Sequence, residues 1–79
     1  MNLTYVIIVE EILREYEDFW LSKDEIMDII RSRGLHSHPS GYGVGRALRS
    51  LKKYGKVVSM EKPVDDGGGG LRCFYSWKK

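Results

Sequence analysis

Residues 40–54 read SGYGVGRALRSLKKY, an amphipathic helical pattern without a single acidic residue. On a wheel of about 100° per residue, three basic side chains lie within about 40° of Tyr42; they are Arg46, Arg49 and Lys53. The opposite side is apolar and consists of Val44, Ala47, Leu48 and Leu51. The pattern predicts a helix from about Ser40 to Tyr54 with a buried apolar side and an exposed basic side. Glycines weaken its first turns, since each costs about 1 kcal/mol relative to Ala.

Two further helices are predicted upstream. The first runs from about residue 4 to residue 18, because large side chains share one side of it; they are Tyr5, Ile8, Val9, Ile12, Leu13 and Tyr16. The second runs from about residue 23 to residue 33. Ser22 and Glu25 form the S-x-x-E capping box that opens a helix, and Gly34 is the residue type that closes one. A short strand-like link of Phe19, Trp20 and Leu21 joins the two helices.

Two strands are predicted after the third helix. Lys56–Lys62 has the β-branched content of a strand, and four consecutive glycines end a loop from Pro63 to Gly70. Leu71–Trp77 returns as the second strand, and its alternate residues are expected to face inward; these are Leu71, Cys73, Tyr75 and Trp77. We therefore expect one α+β domain over residues 1–79, with three helices followed by a hairpin at about residues 56–77.

Charge is segregated along the chain. Residues 1–30 contain eight acidic and two basic residues, whereas residues 31–62 contain eight basic residues and one acidic residue. This split predicts one surface that attracts a polyanion and another that repels it. The longest apolar run, Val6 to Val9, is far shorter than the ~20 residues of a membrane span. With no secretory signal pattern and a single cysteine, Cys73, a cytoplasmic (intracellular) location is expected.

Patterns of catalytic or metal-binding residues are weak. His36 and His38 have no third ligand nearby, so a zinc site is not expected. The glycines of residues 41–45 do not continue into the Gly-Lys-Ser/Thr of a phosphate-binding loop. Cys73 has no expected base partner, and the carboxylates of the first helix lack the apolar surroundings of an acid–base catalyst. The sequence predicts neither an enzyme nor a cofactor.

The order of elements resembles the winged helix-turn-helix family. The matching positions are Leu21-Ser22-x-x-Glu25-Ile26, then Val44, Leu48 and Leu51, then Tyr54-Gly55-Lys56-Val57, and the closing Tyr75-Ser76-Trp77. In size and composition the chain is also similar to small DNA-binding proteins of archaea and of their viruses and plasmids. The resemblance implies a transcriptional regulator whose third helix enters the major groove of double-stranded DNA beside a hairpin wing. The acidic wing tip, Asp65-Asp66, departs from common members of the family. The basic residues that flank the loop, Lys62 and Arg72, are therefore expected to contribute more to DNA affinity than the tip.

The residues expected to contact DNA lie on the basic side of the third helix and on the wing; they are Ser40, Tyr42, Arg46, Arg49, Lys52, Lys53, Lys62 and Arg72. Arginine is suited to this role because its fork binds guanine O6 and N7 or a phosphate. Ser22 and Lys23 are supporting candidates for a phosphate contact. Two alternatives stay open, since fold does not fix function: a module that docks to an acidic protein partner, or an RNA-binding module. No membrane or small-molecule partner is expected.

Leu3 and Ile7 lie on the charged side of the first helix, where an isolated domain has no use for them. They predict a homodimer through this helix, with Trp77 nearby. Two recognition helices would then contact half-sites about one helical turn apart, ~34 Å. The alternative is that they are single exposed apolar residues, which are common.

Overall fold

The computed structural model describes residues 5–36, 38–63 and 70–78. Helices and strands follow each other as α1 Tyr5–Glu15, β1 Leu21–Ser22, α2 Lys23–Arg33, α3 Gly41–Lys53, β2 Val57–Pro63 and β3 Leu71–Trp77. The three strands form one antiparallel sheet in the order β1-β3-β2. The predicted α+β arrangement of three helices followed by a hairpin is confirmed. No helix in the described part of the chain is long and apolar enough to cross a membrane.

Local signals in the sequence fix the ends of α2 and α3. Ser22 Oγ accepts a hydrogen bond from the Glu25 amide at 3.2 Å, and Glu25 Oε1 accepts one from the Ser22 amide at 3.0 Å. This is the predicted capping box. Gly34 and Gly55 follow the two helices at φ 61° and 73°, a left-handed backbone that glycine adopts without steric cost.

The core lies between the three helices and one face of the sheet. Its fully enclosed side chains come from one stripe on each helix: Val9, Ile12 and Leu13, then Ile26 and Ile30, then Val44, Leu48 and Leu51. Leu21 and Val57 extend this cluster to the sheet. Burying one such aliphatic side chain contributes about 1.5–3 kcal/mol. The apolar stripes predicted for the first and third helices are therefore the ones that build the core.

The first helix is shorter than predicted. It ends at Glu15 rather than at Asp18, and residues 16–18 form a turn. The Glu17 carbonyl in this turn accepts a hydrogen bond from Ser76 Oγ at 3.4 Å. The chain must leave the helix here because Leu21 pairs with Tyr75 in the sheet. Long-range pairing thus ends a helix that its own residues would continue.

The hairpin also corrects two details. Pro63, predicted to lie in the loop, is the last residue of β2 and pairs with Leu71. Leu71 was expected to face the core, which is wrong, since it is 67% exposed. It lies at the far end of the hairpin, past the part of the sheet that the helices cover, whereas Cys73, Tyr75 and Trp77 are half-buried. The predicted acidic and glycine-rich tip, residues 64–69, lies outside the described residues.

Candidate nucleic-acid interface

The exposed side of α3 brings together the side chains that the helical wheel predicted. Tyr42 is 75% exposed, and Arg46, Arg49 and Lys53 are also exposed. The Arg46 guanidinium lies over the Tyr42 ring, 5.7 Å from its centroid, a cation–π contact. The opposite side of the helix is buried in the core. Core packing therefore fixes the direction in which this basic side points.

A tyrosine of α1 sets the start of α3. A Cβ at Gly43 would overlap the Tyr5 ring, so glycine lets the two helices approach closely here. The Tyr5 hydroxyl donates to the His38 carbonyl at 3.2 Å and accepts from the Ser40 amide at 3.0 Å. The glycine-rich start, which weakens an isolated helix, is the surface on which α1 rests. Tyr5 therefore positions the start of α3, a role that its predicted place on the apolar side of the first helix did not indicate.

Ser40 has a structural role at the same point. Its Oγ accepts a hydrogen bond from the Gly43 amide at 3.1 Å and caps α3. An N-cap hydroxyl satisfies one of the free amides at the helix start, and its proton stays available for an acceptor outside the protein. The predicted contact residue is thus at the edge of the basic side, and the helix uses one acceptor site of its hydroxyl.

Lys23, at the start of α2, lies across the first turns of α3. Its Cε and Nζ are each 3.7 Å from the place of a Cβ at Gly41, and its Cδ is 4.0 Å from that of Gly45. The two glycines leave room for the lysine stem. The Lys23 ammonium group therefore lies beside the first turns of α3.

An open groove of about 750 Å³ separates α3 from the sheet. One wall carries cations of the helices, Lys23, Arg49 and Lys52, and the other carries Glu61, Cys73 and Tyr75 of the hairpin. Asp24 and Arg72 also line it. Glu61 and Tyr75 were not among the predicted site residues, because the groove exists only once hairpin and helix are packed.

Lys62 and Arg72 lie directly opposite each other on β2 and β3. Side chains alternate between the two faces of a strand, so this pair shares a face with Phe74, and Lys62 Nζ is 5.8 Å from the Phe74 ring centroid. Glu61 and Cys73, also opposite each other, belong to the other face. The two predicted wing cations therefore lie side by side on one face of the hairpin, and Arg72 also reaches the edge of the groove that Glu61 lines.

The Tyr75 hydroxyl connects the two walls of the groove electrostatically. Burial raises the pKa of Tyr75 to about 12, with help from a hydrogen bond to Cys73 and from the charge of Glu61, while the charge of Arg49 acts in the opposite direction. Arg49 and Glu61 therefore both lie close enough to this hydroxyl to act on it. The phenol is neutral at neutral pH and leaves the charge of Arg49 in place.

Three ion pairs join exposed or part-exposed charges elsewhere on the described surface. Lys56 Nζ is 3.2 Å from Glu10 Oε1, Arg33 is 2.5 Å from Glu15 Oε2, and Arg31 is 3.5 Å from Asp28 Oδ1. The Glu15 hydrogen bond raises the pKa of Arg33. Within residues 5–36, 38–63 and 70–78, no acidic side chain forms an ion pair with the cations of α3, which are Arg46, Arg49, Lys52 and Lys53.

The two histidines are engaged locally. The His36 ring stacks on Tyr5 with centroids 4.6 Å apart, and its Nδ1 accepts from the His38 amide at 3.1 Å. Among the described residues no group of three or more His, Cys, Asp or Glu side chains is placed to hold a metal ion.

Three solved structures share this architecture over nearly the whole chain. One is a PadR family transcription regulator from hypervirulent Clostridium difficile. The similarity covers 98% of this chain and 74% of the regulator's chain, at 19% sequence identity and a TM-score of 0.73. The ferric uptake regulator of Francisella tularensis matches 98% of the chain with 52% of its own, at 16% identity and a TM-score of 0.73. A chain of Thermoplasma acidophilum described as a transcriptional regulator matches 95% with 68% of its own, at 20% identity and a TM-score of 0.69. The fold is a winged helix-turn-helix.

No family model and no curated protein matches the chain. The winged helices just described are transcription regulators, but at 16–20% identity they establish the fold alone. The chain spans about half of the ferric uptake regulator, so that protein has a further part without a counterpart in residues 1–79. The similarity to proteins of archaea and of their viruses and plasmids stays a prediction.

Proposed function

We propose that this winged helix is a transcriptional regulator that binds double-stranded DNA, with α3 in the major groove and the wing beside it. One observation carries the proposal: α3 presents cations that have no acidic partner among the described residues, while Lys56, Arg33 and Arg31 elsewhere on the surface do. Surface faces that serve only solubility usually mix signs and form pairs. A face with one sign and no internal partner suits a polyanion.

The dimensions of the helix support the same partner. α3 has 13 residues, a length of about 20 Å, and the major groove of B-DNA is about 12 Å wide and admits a helix. The buried side of α3 holds the helix to the core. Its exposed side chains can then enter the major groove of DNA; they are Tyr42, Arg46, Arg49 and Lys53. Ser40, Lys52, Lys62 and Arg72 are exposed too and complete the proposed contact surface.

A binding assay separates duplex DNA from the two alternatives. We expect wild-type protein to shift random duplex DNA at lower concentration than single-stranded DNA or structured RNA. The variant Arg46→Ala/Arg49→Ala should lose most of this binding yet unfold at the same temperature, because both side chains are exposed. Glu11→Ala on α1 is the matched control and should bind as the wild type does.

Each alternative has its own result. Tighter binding to structured RNA would support the RNA-binding module. Absence of binding to every nucleic acid would support the module that docks to an acidic protein. A folded Arg46→Ala/Arg49→Ala variant that binds duplex DNA as tightly as wild type would show that α3 is not the recognition element.

A homodimer through α1 belongs to the same proposal. Ile7 is 45% exposed on the charged side of α1, and Leu3 lies outside the described residues. Two copies would present two recognition helices to half-sites ~34 Å apart. Light scattering at micromolar concentration should give a dimer for wild type and a monomer for Ile7→Glu; a monomer for both would rule the dimer out.

A further inference from the structure

Arg46 and Arg49 are equivalent on a helical wheel, but the folded chain gives them different surroundings. Arg46 lies over the exposed Tyr42 ring on the outer side of α3. Arg49 lies in the groove between α3 and the wing, with Lys23 and Lys52 on the same wall. Two arginines with equivalent positions on the helical wheel thus belong to two different sites in the folded protein.

The groove has the charge and the shape of a site for a phosphodiester strand. Four cations line it, against two carboxylates. The cations are Lys23 from α2, Arg49 and Lys52 from α3, and Arg72 from β3; the carboxylates are Asp24 and Glu61. Lys23 is held along α3 because Gly41 and Gly45 leave room for its stem. Contacts from lysine and arginine to phosphate oxygens fix the position of a protein on DNA but carry no sequence information.

The opposite wall limits how much negative charge the groove accepts. Glu61 projects into it from β2, beside Cys73 and Tyr75. Burial and the neighbouring Cys73 raise the pKa of Tyr75, and the charges of Arg49 and Glu61 act on the same hydroxyl in opposite directions. The negative charge of Glu61 therefore weakens the attraction between Arg49 and a phosphate in the groove.

The environment of Arg46 is suited to bases instead. The Tyr42 ring forms a cation–π contact with the guanidinium, 5.7 Å from ring centroid to guanidinium carbon, which restricts its movement. An arginine held in this way presents its fork in one orientation, as bidentate recognition of guanine O6 and N7 requires. Arg46 does not line the groove, so it is not drawn toward the phosphate site.

We infer that one phosphodiester strand of the duplex lies in the groove against Lys23, Arg49 and Lys52, and that Arg46, held by Tyr42, is the residue that distinguishes base sequence. The inference rests on the proposed binding of duplex DNA. It assigns Arg49 to affinity, Arg46 to specificity, and Glu61 to weakening of the phosphate contact.

The test begins with a preferred site selected from a random duplex library. Fluorescence anisotropy then gives the Kd for that site and for a scrambled duplex over a series of salt concentrations. Arg49→Ala and Lys23→Ala should weaken binding to both duplexes alike and reduce the slope of log affinity against log salt by about one unit each. Arg46→Ala should weaken binding to the preferred site by about 5- to 150-fold while changing the scrambled duplex much less.

Conservative variants sharpen the distinction without a change of charge. Arg49→Lys should keep the salt slope and the ratio of the two affinities, since the ammonium group brings the same charge to the phosphate. Arg46→Lys should lose discrimination, because a lysine lacks the bidentate fork. Glu61→Gln, unlike these two variants, removes a charge and should tighten binding to both duplexes. Thermal unfolding of each variant shows that it is folded.

Three outcomes would overturn the inference while leaving duplex binding intact: loss of discrimination in Arg49→Lys, unchanged discrimination in Arg46→Ala, or a library without an enriched site. Failure of the proposed function looks different, because then wild type and every variant have the same weak affinity for duplex DNA.

Discussion

Helices α1 and α3 pack against each other through buried stripes, but their outer faces handle charge in opposite ways. On α1, Glu10 and Glu15 are paired with Lys56 and Arg33. On α3, the cations have no acidic partner in the part of the chain that the structure describes. The formal net charge of +2 conceals this contrast. Pairing within the fold, more than the number of charges, indicates which surface is available to a partner.

Charge reversal should separate the two faces most strongly. Replacing both Arg46 and Arg49 with Glu should lower duplex affinity by about 100-fold or more, since each arginine contact contributes about 1–3 kcal/mol. Glu11→Lys on α1 is the control on the opposite face; it changes the charge by two units, against four units in the double variant. It should alter affinity by less than about threefold at physiological salt, where the Debye length is about 8 Å. Equal effects in an anisotropy titration would remove the distinction between the faces.

The contact between the two helices is tested by two glycines of α3. Gly43→Ala should lower the free energy of unfolding by about 1–3 kcal/mol, because the new methyl group overlaps the Tyr5 ring. Gly45→Ala is the matched control: its methyl group meets only the Lys23 stem, at 4.0 Å. It should be neutral or stabilise by up to about 1 kcal/mol, the difference in helix propensity. Urea denaturation measures both, and equal stabilities would mean that Tyr5 does not rest on Gly43.

Alkaline pH tests the environment of α3 at the groove. The pKa of Tyr75 is raised from 10.0 to about 12 in the folded protein, so the folded state disfavours the phenolate. The contribution of neutral Tyr75 to the free energy of unfolding is complete below pH 10 and is lost as the pH rises toward 12. The free energy of unfolding should therefore fall more steeply over this range in wild type than in Tyr75→Phe. Identical slopes would place the Tyr75 hydroxyl in water.

The smallest effect is expected on α1. Glu10→Gln removes the pair with Lys56, whose side chain is half exposed, and exposed pairs contribute at most about 1 kcal/mol. Thermal unfolding should change slightly and duplex affinity should stay the same. A loss of affinity in this variant would contradict the separation of the two faces.

Short-range signals predicted much of the fold. Ser22 and Glu25 opened α2 as expected, Gly34 closed it, and the apolar stripes of α1 and α3 are buried. These features depend on neighbours within a few residues, which a single sequence displays. The end of α1 at Glu15 and the exposure of Leu71 depend on where β3 lies, and no local pattern contains that information.

The sequence predicted only the part of the candidate site that α3 contributes. The wheel placed Tyr42, Arg46 and Arg49 on one face of α3, because that face is a property of the helix itself. The groove was hidden, since Glu61 and Tyr75 join it only through the hairpin register. The glycines at residues 41–45 gave a visible signal, low helix propensity, but their cause is the approach of Tyr5 and Lys23 from other helices.

The hydroxyl of Tyr5 has a consequence for hydrogen exchange. It accepts the Ser40 amide proton, and the Ser40 side chain in turn holds the Gly43 amide. Ser40 lies in an exposed connector, where an amide would ordinarily exchange with solvent quickly. Here its proton is released only when the N-terminal end of α1 separates from the start of α3. Protection of the Ser40 amide therefore reports docking of the first helix, and the rate at which it exchanges measures how often α3 loses this anchor.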